Sequence, residues 1–169
     1  MAGAIVFINE RWYWTRWLVP QWMVDQFCPR EDNYIGLLEL VGVVLTWSTF
    51  KTAIAGSYWT AYCDNSGVVH GCANGSTNGL LTNDVNNMIG RFWLEIAKAD
   101  VSFFIAQVET DANGSDEVTR VQVSQLVEKL EAEWVAPVVP TWFENIWRAP
   151  DAIFDGIVTD VQTPVVIFD

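Results

Sequence analysis

The sequence predicts an α/β protein. Short β-branched and aromatic runs alternate with longer stretches whose apolar residues recur at helical spacing, a pattern that builds sheets covered by helices. The chain has 169 residues, of which 51% are hydrophobic, enough to bury a sizeable core within one domain. No internal repeat or low-complexity segment interrupts the pattern. The coarse order reads β-β-α-β-α-α-β-α-tail-β.

Residues 2–9 (AGAIVFIN) form a strand ending at the turn signal Asn9-Glu10, and residues 11–19 (RWYWTRWLV) resume as a second strand. Together they predict a β-hairpin, closed by Pro20. Residues 21–33 read as a connection, with Pro29 and three acids. Residues 34–55 predict a long helix, since Ile35, Leu38, Val41 and Leu45 fall at helical spacing. Gly56-Ser57 breaks that helix, and residues 58–63 (YWTAYC) form a strand that stops at Asp64. A turn leads into a short helical segment, residues 68–73, and then the loop 74–78 (NGSTN). Residues 80–99 predict an amphipathic helix that places Leu81, Val85, Met88, Ile89, Phe92, Trp93 and Ile96 on one side. Residues 101–108 (VSFFIAQV) predict a strand, 109–116 a polar loop, and 121–134 a third helix carrying Leu126, Val127 and Leu130. Beyond residue 134, prolines 137, 140 and 150 punctuate a tail. Residues 141–147 form one short helix within it, and 164–169 (PVVIFD) have strand composition.

Composition narrows the function classes. Net charge is −12 and the nine Lys and Arg are scattered, so no basic stripe grips phosphates. Strong unaided nucleic-acid binding is thereby disfavoured, whereas a nuclease that borrows charge from bound metal is not. No apolar run reaches the ~18 residues that span a bilayer, and residues 1–8 lack the basic start of a signal peptide. The expected setting is intracellular, without a membrane. Cys28, Cys63 and Cys72 are odd in number and not in CxxC spacing, so buried reduced thiols are expected. His70 is the only histidine, and no nucleophile is arranged around it. A surface or structural role is expected for it rather than a catalytic triad.

The chemistry-bearing candidates are carboxylates. Asp64 ends an apolar strand, where an acid is well placed to hold a metal ion. Glu39 interrupts the apolar helix 34–55. It is either on that helix's polar edge or held by a partner or metal, because a lone buried carboxylate is costly. Asp116 enters the third helix. Metal-assisted phosphoryl chemistry needs such acids to converge at one sheet edge, but 21 acidic residues offer many triplets by chance.

Three local sequences sharpen the choice. Ile35-Gly36-Leu37-Leu38-Glu39-Leu40, Tyr62-Cys63-Asp64-Asn65-Ser66-Gly67 and Ala112-Asn113-Gly114-Ser115-Asp116-Glu117-Val118-Thr119-Arg120 occur in this order. They resemble the ribonuclease H domain of retroelement reverse transcriptases, closest to the DIRS-like type and its copies in protist genomes. The resemblance runs over roughly residues 2–134. It implies a ribonuclease H-like fold, with a mixed central sheet and helices on both faces. It also implies metal ligands at Glu39, Asp64 and Asp116, binding Mg²⁺ or Mn²⁺. The implied activity is two-metal hydrolysis of the RNA strand in an RNA–DNA hybrid. The third motif departs by Ser115 for Ala and Thr119 for Ser. Some family members carry a His in the loop before the last Asp. Residues 109–115 have none, which implies a slow enzyme.

The larger departure is the family's first strand, with its leading Asp, which has no counterpart before Met1. Residues 164–169 resemble it, so the sequence reads as a circularly permuted version. The main body would be residues 1–134, the tail 135–163, and 164–169 the displaced first strand, with Asp169 as fourth carboxylate and Asp155 as runner-up. On this reading Asp64 and Asp169 would bridge the metals, and Glu39 and Asp116 would hold one each. The contrasting expectation is a domesticated, catalytically weak or inactive fold serving a larger assembly, such as a ribonucleoprotein. It would use protein partners on a surface rich in Trp12, Trp14, Trp17, Trp22, Trp142 and Trp147. Alternate Trp on a half-buried strand fits core packing equally well.

Overall fold

The computed structural model describes residues 1–27, 34–77, 83–114, 118–119, 124–143 and 146. The architecture is α/β with mixed strand pairing. Strands β1 (Ala2–Ile8) and β2 (Arg11–Trp17) pair antiparallel from Ala2↔Trp17 to Ile8↔Arg11. The two-residue turn between them places both Asn9 (φ 50) and Glu10 (φ 64) in the left-handed region. That geometry matches the right-handed twist of the strands it joins.

Helix α1 (Gln21–Phe27) lies where a connection was expected. Pro20 starts it: its carbonyl accepts from Met23 N–H (3.0 Å) and Val24 N–H (3.1 Å), and Met23 is fully buried. A seven-residue helix is too short to show helical periodicity, so packing rather than pattern fixes this turn.

Helix α2 (Tyr34–Ile54) is the spine. Val41, Val44, Leu45 and Trp47 are buried along it, and it packs against β1, β3 and a third helix. Its approach to β1 is close, since a methyl at Gly42 would sit 3.4 Å from the Gly3 carbonyl. The window Ile35–Ile54, 20 residues with mean hydropathy 1.4, is long and apolar enough to cross a membrane, contrary to the sequence expectation. In this fold 67% of that window is buried inside the protein, as suits a core helix.

Strand β3 (Tyr58–Cys63) pairs in parallel with β4 (Ser102–Gln107), from Tyr58↔Ser102 to Cys63↔Gln107. Two helices make the crossover that parallel strands require: α3 (Ser66–Asn74) and α4 (Asn83–Lys98). The buried side of α4 is Met88, Ile89, Phe92 and Ile96, as its spacing predicts. Phe103 meets Trp59, Phe92 and Trp93 at ring-centroid distances of 4.7, 5.0 and 5.6 Å, which locks α4 to this sheet.

The helix expected over residues 121–134 ends earlier than that. Helix α5 (Ser124–Lys129) ends where Glu131 turns left-handed (φ 51), with Ala132 N–H donating to the Val127 carbonyl at 2.9 Å. Glu133–Trp134 then forms β5, parallel to β2, with Trp14 and Trp134 rings 4.5 Å apart. The described strands divide into two sheets, β1-β2-β5 and β3-β4, rather than one central sheet.

Trp17, Trp22 and Trp142 are half-buried and pack against the core, and Trp12 and Trp14 are also half-buried. For Trp17, Trp22 and Trp142, core packing replaces the exposed cluster considered from sequence, while Trp12 and Trp14 pair with the exposed rings of Phe7 and Trp134. Trp147, Asp155 and the segment 164–169 lie outside the described residues.

Candidate metal centre

The fold brings two of the sequence candidates together. Glu39 sits on the first turns of α2, and Asp64 follows the last residue of β3. One ligand atom each from Glu39, Cys63 and Asp64 lie within 4.8 Å of one another. Both carboxylates are half-buried, so Glu39 sits neither on a solvated edge nor sealed in the core.

Three local contacts shape the cluster. Cys63 Sγ donates to Glu39 Oε2 at 3.4 Å. Burial pushes the Cys63 thiol up from 9.0 to about 12, and the nearby Glu39 and Asp64 carboxylates oppose its ionisation further. The sulfur is therefore a neutral hydrogen-bond donor rather than a thiolate. Asn113 Nδ2, beyond the 3₁₀ turn Thr110–Ala112, donates to Asp64 Oδ1 at 3.0 Å. Asn65 caps α3, its Oδ1 accepting from Val68 N–H at 3.2 Å, which fixes the chain direction just after Asp64.

The donor set favours a hard divalent cation. Magnesium binds oxygen at ~2.1 Å, so two ligands on one ion lie at most ~4.2 Å apart. A Glu39 oxygen and an Asp64 oxygen lie within 4.8 Å of each other, near that limit.

The cluster lies at one end of a cleft of 1080 Å³. It is lined by β1 and β3, by Leu38, Gly42 and Val43 of α2, and by Leu126 and Leu130 from the α5 region.

Asp116 and Asp169, the other two expected ligands, lie outside the described residues, as does Asp155. His70 is exposed, with Nδ1 2.7 Å from the Ser66 carbonyl, and takes no part in the cluster. Cys63 and Cys72 are buried free thiols, as their spacing led one to expect, while Cys28 is not described. Sequence reasoning missed the contacts of Cys63 and Asn113. The alternation of β3 buries Cys63 on the side that faces α2, a signal visible only once the partner of that face is known. Asn113 stands three residues before Asp116 in the third motif and was assigned no role of its own.

No family model, curated protein or solved structure matches the chain.

Proposed function

We propose that the protein is a metal-dependent nuclease of the ribonuclease H-like type, hydrolysing the RNA strand of RNA–DNA hybrids. The observation that carries the reading is the convergence of Glu39 and Asp64, two acids 25 positions apart in sequence, in the lining of a cleft. These are the two motif acids that lie among the described residues. Asp116 and Asp169 are proposed to complete the set.

When bound, Mg²⁺ or Mn²⁺ would supply the Lewis acidity and the activated water of phosphodiester hydrolysis. The chain's own part is to hold the ligands. The Cys63 thiol fixes one oxygen of Glu39, and the Asn113 amide fixes one oxygen of Asp64. Both donors are neutral, so they orient the carboxylates without cancelling the charge that attracts a cation. Net charge of −12 leaves attraction of the nucleic acid to the metals and to local groups.

A labelled hybrid incubated with Mg²⁺ tests the reading, comparing wild type with Asp64→Asn. Metal-dependent cleavage of the RNA strand by wild type and its loss in the variant are expected. Mg²⁺ should also raise the Tm of wild type and leave that of Asp64→Asn unchanged, since only a competent site links binding to stability. No cleavage together with no thermal shift sinks the nuclease reading.

A second reading is favoured by the outer face of the β3-β4 sheet. Tyr58 (90% exposed), Tyr62 (65%) and Phe104 (63%) lie there in solvent. Exposed aromatics of this kind suit a binding surface in a larger assembly. A thermal shift without cleavage would favour this structural role.

A further inference from the structure

The cleft between β1 and β3 has the shape of a missing strand. Its lining runs without a gap through residues 1–9 and residues 57–64. A sheet face would contribute every second residue, because side chains alternate; an edge contributes all of them. The strands beyond, β2 and β4, give it only Trp12. Among the described residues β1 pairs only with β2, and β3 only with β4, so each presents one edge to this space. Exposed edges of this kind are templates for another strand.

The space suffices. Six residues rising ~3.3 Å each, spaced ~4.8 Å from their neighbours and ~10 Å deep through the side chains, fill about 950 Å³. The cleft measures 1080 Å³. Its covering defines the occupant's character. Leu38 and Val43 of α2, and Leu126 and Leu130 from the α5 region, all line it. A strand seated among these apolar side chains is best apolar without alternation.

We propose that the slot is filled by the chain's own residues 164–169, joining the two sheets into one. Val165-Val166-Ile167-Phe168 is an uninterrupted apolar run of β-branched and aromatic residues. Pro164, which has no N–H to place in a ladder, stands at its start, where proline is tolerated. The other apolar stretch of the tail, Ile153-Phe154-Asp155-Gly156, is broken by an acid and a glycine. The reach suffices, since the 18 steps from Ile146 to Pro164 extend up to ~60 Å. Seated parallel to β3, the segment would end beside Asp64, which ties its direction to the metal-site reading. The docking itself needs no cleavage chemistry.

Hydrogen exchange on the full chain and on a chain ending at Thr163 decides the matter. In the full chain the amides of β1 and β3 should exchange more slowly by about tenfold or more, with β2 and β4 changing less. Adding the free hexapeptide of residues 164–169 should restore that protection to the shortened chain, and Ile167→Asp in the full chain should abolish it. Equal exchange of β1 and β3 in the two chains overturns the proposal. A shortened chain that loses protection everywhere and is not rescued by the peptide also overturns it. So does protection that grows with protein concentration, which would assign the slot to a second copy's tail. None of these outcomes depends on whether the protein cleaves a hybrid.

Discussion

A thiol and a carboxylate in contact set opposite demands on the same few cubic ångströms. Cys63 is kept neutral mainly by burial, so it can donate to Glu39 but adds no charge to a site that already holds two acids. Cys72 shows the burial effect alone: it is fully buried, and its thiol is pushed up from 9.0 to about 12 by desolvation. The sign of the linkage follows. Between pH 9 and 12 the folded chain keeps a proton that the unfolded chain has lost, so the stabilisation is whole below pH 9 and drains away as pH rises toward 12. In a Cys28→Ser background, both remaining thiols should resist Ellman's reagent at pH 8 and react at once in denaturant. The Tm of that protein should fall more steeply from pH 8 to 11 than the Tm of its Cys72→Ala derivative. Fast native-state labelling would show that neither thiol is shielded.

At the scale of elements, the strand–cap–helix unit around Asp64 carries the site. Asn65 is held from both sides: a methyl at Gly67 would lie 3.1 Å from its Oδ1, and one at Gly36 would lie 3.3 Å from its Nδ2. Asn65→Ala removes the α3 cap and should cost ~1 kcal/mol, lowering the Tm by roughly 2–4 °C in a chain of this size. Asn65→Asp keeps the acceptor and should recover most of the loss. A calorimetric scan of the three proteins checks the order. The sequence made the strand and its terminal acid legible, because an apolar run stops at Asp64, but it read a turn where Asn65 caps the helix and α3 begins at Ser66 rather than Val68. It made α2 and α4 legible through their helical spacing. It did not reveal α1, whose only anchors are Pro20 and the burial of Met23. Nor did it place the end of α5, because the left-handed cap is Glu131 where glycine is the usual signal. The division into two sheets is a matter of long-range pairing, which local pattern does not encode. The meeting of Glu39 with Asp64 was expected only through resemblance. The roles of Cys63 and Asn113 depend on which surfaces face each other once β3, α2 and the 110–112 turn are packed.

Across the whole molecule, one carboxylate gathers three distant parts of the chain. Glu95 of α4 accepts from Trp47 Nε1 of α2 at 3.0 Å and from Trp142 Nε1 of the tail at 2.8 Å, and Arg91 Nε lies 3.6 Å away. Trp47 is fully buried, so its N–H has no water to turn to if that oxygen is lost. The tail is fastened again nearby, where Val138 N–H donates to Thr49 Oγ1 and the Ser48 hydroxyl donates to the Val138 carbonyl. Glu95→Gln keeps the shape but leaves only one carbonyl oxygen, and its amide N–H₂ meets the other indole N–H donor to donor. One indole loses its acceptor, at ~1–3 kcal/mol. Because Trp142 shares that acceptor, Trp142→Phe should cost much less in the Glu95→Gln background than in wild type. Urea unfolding of the two single variants and the double variant gives the coupling, expected at ~0.5 kcal/mol or more. Additive costs would mean that the tail and α2 are held independently. A non-additive result would make the tail part of the same cooperative unit as α2 and α4, so that the point from which residues 147–169 depart is fixed by the core.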